Sequence, residues 1–185
     1  FVVFVADHGE SLFEHGYLGH GRRVYQTSLL VPFVVTGPGI AAGRSPAPVR
    51  GLDIGPTLLG VAGIAPAKGM EGIDVLHASI PQDRVRVVET YGGAVPRVPG
   101  AHALMAGKGP MRMGALAGDW KLIQGGRTDE LYCLETDPDE TRNLIGTEQK
   151  RAQELGALIR EWDSRNARSN TAGPVLGQDD LQALE

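Results

Sequence analysis

"FVVFVADHGESLFEHGYLGHGRRVYQTSLLVPFVVTGPG" occupies residues 1–39, two greasy runs on either side of a crowded polar loop. Phe1 to Ala6 is an unbroken β-branched and aromatic run. No polar residue alternates with it, so both its faces are expected to be covered, as in the parallel sheet of an α/β protein. Residues 7–23 read as a Gly- and His-rich loop with room for a short helical turn. Residues 24–30 suit a helical turn or a short extended stretch. "VPFVVTGPG" reads as a second buried strand, with Pro32 near its start and Gly37-Pro38-Gly39 as its stop. The sequence opens inside a strand and has no initiator Met, so it is expected to be the C-terminal part of a longer protein.

In open α/β sheets, ligands gather beyond the carboxyl ends of the strands. Asp7 and His8 leave the first strand at such an end, and neighbours there can reach one point past the sheet edge. Carboxylate plus imidazole is a usual pair of metal ligands. Gly9 lets the chain turn away without placing a side chain in the site. Glu10, Glu14, His15 and His20 follow on the loop, then Arg22 and Arg23. On local residues alone the pattern fits a solvated polar loop as well as it fits a metal site. The two arginines suit either solvent or an anionic substrate.

Composition narrows the class. Hydrophobic residues make up 42% of the 185 and charged residues 22%, which suits a soluble globular protein and not a disordered one. Net charge is -4 with both signs interspersed, which argues against a broad nucleic-acid surface. No stretch approaches the roughly 18 consecutive apolar residues of a membrane span. Cys133 is the one cysteine, so these residues can form no disulfide among themselves and no multi-cysteine metal site. Within "LYCLETDP" it reads as a small apolar side chain in a strand.

"LDIGPTLLGVAGI" reads as a helix, with Asp53 as N-cap, Pro56 in the first turn and Gly63 as its stop. Its Leu, Ile and Val positions are expected to face a core. Near residue 84 the pattern changes. "RVRVVETY", "MGALAGDWKLIQG" and "DELYCLETD" alternate, which predicts antiparallel strands with one face packed and one wet. "GTEQKRAQELGALIREWDSRNAR" is an amphipathic helix, with Thr147 as N-cap and Leu155, Leu158, Ile159 and Trp162 at helical spacing. The expected organisation is therefore an α/β core portion with the loop site over 1–83, a small antiparallel sheet plus helix over 84–169, and a tail over 170–185. "GGAVPRVPGAHALMAGKGPM", residues 92–111, reads as a long loop near the site. Its Arg97, His102 and Lys108 are either plainly exposed or substrate contacts.

Residues 1–39 resemble the sulfatase branch of the alkaline-phosphatase superfamily. In that branch a strand ends in Asp-His-Gly-Glu or Asp-Asn-Gly, a Gly-Glu-His-Gly-like loop and a Gly-His-Gly or Gly-Lys element follow, and a "VP" strand ends in Gly-Pro-Gly. "VRGLDIGPTLLGVAGI" and "MEGIDVL" are similar to the family's next helix and anchor. "GDWKLIQG" and "ELYCLETDPDETRNL" are similar to its C-terminal sheet. The likeness runs in order over residues 1–145. It implies an alkaline-phosphatase-like α/β core remnant, then a small antiparallel sheet with one C-terminal helix.

The resemblance also implies Asp7 and His8 as metal ligands and His20 as the catalytic group beside the transferred sulfate. A cationic donor there stabilises charge on a departing oxygen, and imidazole titrates near neutral pH. His15 and Arg22 are candidate substrate contacts, and Glu10 a support for the loop. Calcium ranks first as the divalent metal, although the His nitrogen pulls toward zinc or manganese. The family's Cys/Ser-x-Pro-x-Arg motif, which supplies a formylglycine nucleophile, is absent from these residues, and so is its upstream Asp pair. The expected activity is hydrolysis of a sulfated small molecule or glycan by the longer protein, and these 185 residues alone are expected to be inactive. The alternatives are a phosphoethanolamine transferase, phosphonate monoester hydrolase or phosphodiesterase of the same superfamily, and a non-catalytic binding module. The apolar strands are expected to need the missing half or self-association. A periplasmic or extracellular location ranks ahead of a cytoplasmic one.

Overall fold

The computed structural model describes residues 1–90 and 112–169. The opening apolar run forms β1 (Val2–Val5). The polar loop after it contains a minimal hairpin, β2 (Ser11–Leu12) with β3 (Leu18–Gly19), around a 3-10 turn at Glu14–Gly16. A single helical turn, α1 (Gln26–Leu29), leads into β4 (Phe33–Thr36). Strands β1 and β4 pair antiparallel, from Val2 opposite Thr36 to Val5 opposite Phe33.

This pairing corrects the expectation of a parallel, doubly covered sheet. An apolar run reports that a strand wants cover, but not which way its neighbour runs. The two strands stand as a pair with open faces, leaving Phe1, Val2 and Phe4 61–62% exposed.

A 3-10 turn at Gly51–Asp53 runs into α2 (Ile54–Val61). Gly63, just past its end, takes the left-handed φ of +69° that favours glycine, as expected of a helix stop. Asp53 sits at the N-cap position but does not cap through its side chain. Its buried carboxylate instead accepts from the backbone N–H groups of Arg50 and Ile73, at 2.8 Å each, and from both terminal nitrogens of Arg84, at 2.7 and 2.8 Å. Leu52 and Leu58 are exposed, so this helix buries less than its pattern suggested.

The four-stranded sheet is antiparallel, as its alternating sequence predicts, but the expected wet face is covered too, because residues 24–26 and the Glu140 turn pack onto it. Strands β5 (Arg86–Thr90), β6 (Arg112–Ala117), β7 (Trp120–Gln124) and β8 (Glu130–Cys133) form an antiparallel meander in chain order. One face packs Met113, Ala115, Leu122 and Leu131 against Leu155 and Ile159 of α3 (Gln149–Ser169), flanked by Leu158 and Trp162. Those four helix positions are the apolar stripe read from the sequence. Thr147 is not the cap expected of it, because its hydroxyl turns back to the Leu144 carbonyl. The other face carries Ile123 and Tyr132, which cover Val24 and Tyr25 from the end of the polar loop. The loop over 92–111 and the tail over 170–185 lie outside the described residues.

Arg84 and the neighbouring amides hold the Asp53 carboxyl below the usual aspartate range, against a burial that alone would raise it. A depressed folded value stabilises the protein above the ordinary aspartate pKa of about 3.9, and the gain is lost as pH falls through the folded value. Asp53→Asn leaves the Arg84 guanidinium buried without its counter-charge and is expected to cost about 3–5 kcal/mol at neutral pH. Urea unfolding at neutral pH and through an acid series checks this. The variant should unfold earlier at pH 7 and show a flatter acid dependence; equal midpoints at pH 7 would refute the assignment.

Candidate functional site

The site grows from the end of β1. Asp7 and His8 follow the strand directly, and both side chains face solvent, 89% and 43% exposed. Asp7 Oδ1 accepts the His8 backbone N–H at 2.9 Å, which leaves Oδ2 open. His8 Nδ1 lies 2.9 Å from the Gly9 carbonyl. A carbonyl only accepts, so that nitrogen carries the proton, and in the neutral ring the lone pair lies on Nε2. Nε2 and Asp7 Oδ2 are 3.7 Å apart. Two donors so spaced can share one cation at metal–ligand distances of about 2.0–2.4 Å.

These two donors fit half a metal site. Among the described residues no group of three or more His, Cys, Asp or Glu side chains is placed to hold an ion. Calcium takes six to eight ligands and zinc four, so the remaining ligands of a metal held here come from elsewhere.

His20 reaches the same place from the far side of the hairpin. Its ring stacks on His8 with centroids 3.9 Å apart and 24° between planes. Its Nδ1 is 3.0 Å from Glu10 Oε2, a carboxylate that accepts only, so Nδ1 bears the proton and Nε2 is presented outward. Its backbone carbonyl accepts from the Tyr17 hydroxyl at 2.7 Å. The structure thus brings together three of the sequence-predicted residues, Asp7, His8 and His20, with Glu10 as the group that orients the last. Arg22 is exposed on the same loop.

His15 goes elsewhere. Its ring lies flat on Tyr25, with centroids 3.7 Å apart and 9° between planes. Tyr25 was not singled out by sequence, and neither were its supports. The Tyr25 hydroxyl donates to Glu130 Oε2 at 2.5 Å, Tyr132 donates to the same oxygen at 3.1 Å, and Arg112 Nη1 donates to Oε1 at 3.0 Å. Burial first, then the Glu130 carboxylate, pushes the Tyr25 phenol up to about 12. Burial would raise Glu130 as well, but the bonds from Tyr25 and Arg112 outweigh it and its carboxyl lies low. No local motif announces this cluster, because its members come from positions 25, 112, 130 and 132.

Residues 1–64 match the family model described as Sulfatase. The choline-sulfatase of Rhizobium meliloti is 33% identical over 147 residues, covering 77% of this chain and 26% of the relative. The chain is a sulfatase-family segment. It spans about a quarter of that curated relative's length. A protein from Bacteroides thetaiotaomicron assigned to the sulfatases superposes over 94% of this chain and 38% of its own, with a TM-score of 0.71 at 24% identity. The phosphonate monoester hydrolase of Agrobacterium radiobacter covers 96% of the chain and 37% of its own, at a TM-score of 0.64 and 21% identity. These two likenesses are of fold, and they place the sulfatase segment in the α/β class with an antiparallel C-terminal sheet.

Gly9 holds the loop backbone against α1. Its N–H donates to the Ser28 carbonyl at 2.9 Å, and a Cβ there would stand 2.1 Å from the Thr27 carbonyl oxygen. Gly9→Ala must therefore push the loop off α1, at a cost of about 1–3 kcal/mol. Thermal unfolding and amide exchange at Ser28 and its neighbours check this. An unchanged midpoint with unchanged protection would show that the contact yields freely.

Proposed function

We propose that this chain forms one wall of a metal-dependent, sulfate-ester-hydrolysing site in a longer protein. The observation that carries the reading is the convergence of Asp7 Oδ2, His8 Nε2 and the His20 ring at the end of β1. A divalent cation, with calcium ranked first, would when bound draw charge from the ester oxygens. Asp7 and His8 supply two of its ligands, and Gly9 fixes the His8 tautomer through its carbonyl. His20 presents Nε2 to the transferred group, where a proton can pass to the departing oxygen. Glu10 accepts from the opposite nitrogen and orients the ring. The nucleophile, by resemblance a formylglycine, comes from outside these residues.

Membership in the sulfatase family and 33% identity to a choline-sulfatase support a sulfated small molecule or glycan as substrate. The fold shared with a phosphonate monoester hydrolase supports a second reading, in which the same wall serves a phosphonate ester. The exposed β1–β4 faces are covered by the rest of the protein or by a second copy. No helix among the described residues is long and apolar enough to cross a membrane, and a periplasmic or extracellular setting is the one proposed.

The test uses the complete protein that contains this chain. Asp7→Ala should lower bound metal and turnover of an aryl sulfate together, by about a hundred-fold or more. His20→Ala should keep the metal and lower turnover by about 10²–10⁴. The 185 residues alone should show no turnover. A fully active, metal-replete Asp7→Ala protein would overturn the ligand assignment, and a parent that cleaves an aryl phosphonate but no sulfate would decide for the second reading.

A further inference from the structure

We infer that Glu130 is a positioning residue for the site loop: acting through Tyr25, it holds the His15 ring in place. The inference rests on the reading that the loop between β1 and α1 carries the site. The loop has two flanks. One hangs from β1, where Asp7 and His8 stand. The other ends on the C-terminal sheet, where Val24 and Tyr25 are buried against Ile123 and Tyr132.

Two carboxylates, Glu130 at the start of β8 and Glu140 in the turn beyond it, grip this second flank at adjacent residues. Glu130 takes the Tyr25 hydroxyl, and Glu140 Oε2 takes the Gln26 backbone N–H at 2.6 Å. Four residues before Tyr25, the Gly21 carbonyl accepts from Thr90 on β5. The flank that carries His20 is thus tied down on the C-terminal sheet as well as against His8 and Glu10.

His15 shows why the Glu130 contact has a consequence beyond packing. Its backbone φ is +54°, and that of Phe13 is +83°, both in the left-handed region that non-glycine residues rarely keep. Such conformations persist only where surroundings hold them. The hairpin's own backbone bonds, Phe13 N–H to the Tyr17 carbonyl and Gly16 N–H to the Phe13 carbonyl at 3.1 Å each, close the turn, and the face of Tyr25, parallel to the imidazole at 3.7 Å, seats the His15 ring. That face is itself set by the hydroxyl's bond to Glu130, by the edge of Tyr132 at 6.4 Å and by the Arg112 guanidinium 5.9 Å from the ring centre. Removing the hydroxyl's anchor takes away one of these three constraints, and the Tyr25 ring then tilts beneath His15.

The test is a spectroscopic one on the complete protein, labelled with ring-carbon-13 histidine, with the His15 signal assigned by His15→Gln. In the parent, the His15 ring protons should be shifted upfield by the Tyr25 ring current. Tyr25→Phe keeps the aromatic face and removes only the hydroxyl; Glu130→Leu removes the acceptor. Both should lose that upfield shift while the methyl signals of Leu122, Leu131 and Leu155, on the opposite face of the sheet, stay in place. Tyr25→Phe decides alone if Glu130→Leu does not fold. Retention of the shift in a folded variant of either kind overturns the inference. Because the signal reports ring geometry and not turnover or metal, its failure leaves the Asp7 and His8 assignment standing, and their failure leaves this result readable.

Discussion

A buried ion pair on β7 is the constraint around which the rest is arranged. Lys121 and Glu140 meet at 2.5 Å with side chains 0% and 1% exposed. An ammonium in that setting cannot be left alone, because its desolvation costs several kcal/mol. Burial pushes Lys121 below its ordinary value, and the Glu140 charge opposes the shift. The pair has a third member. Glu140 turns its second oxygen to the Gln26 N–H, and the Gln26 side-chain oxygen lies 3.5 Å from Nζ. Satisfying one lysine therefore fixes the turn after β8, with Glu140 at a left-handed φ of +54°, and the start of α1 in the same stroke. Residues 24–26 are placed by it, and with them the end of the polar loop.

The candidate site is consequently built from two directions. β1 delivers Asp7 and His8 as any strand end delivers its next residues. The C-terminal sheet delivers the His20 flank through Val24, Tyr25 and Gln26. Within the loop, Glu10, Tyr17 and the His8 ring settle His20. The small sheet is thus part of the support of the site, through partners 105 and 114 positions apart at Tyr25–Glu130 and Gln26–Glu140. Its own stability comes from an ordinary source, the packing of Leu155 and Ile159 onto Leu122 and Leu131.

Residues whose meaning is local were legible in the chain. Asp7, His8 and Gly9 follow an apolar run, and that order alone puts a carboxylate and an imidazole past a strand end. Alternation over 112–133 yielded the meander, and the spacing of Leu155, Leu158, Ile159 and Trp162 yielded the packed face of α3. Readings failed where a side chain's partner lay far off. Asp53 looked like a cap because a cap is the nearest use for it, yet Arg84, 31 positions on, claims its carboxylate. Lys121 sits in "GDWKLIQG" like any surface lysine of an alternating strand, but Glu140 makes its burial possible.

Periodicity and turn residues were enough to determine the antiparallel C-terminal sheet and its helix, while the ordered motifs, by their resemblance to the sulfatases, pointed to the kinship and to Asp7 and His8 as candidate ligands. These signals act between neighbours, within a few residues of chain. Only the tertiary structure decided that β4 runs against β1, that His15 lies on Tyr25 and not with His8 and His20, and that Glu130 and Glu140 grip the loop's end. The reason is physical: desolvated charges and buried hydroxyls must find partners wherever the fold brings them, and sequence spacing carries no record of which partners those are.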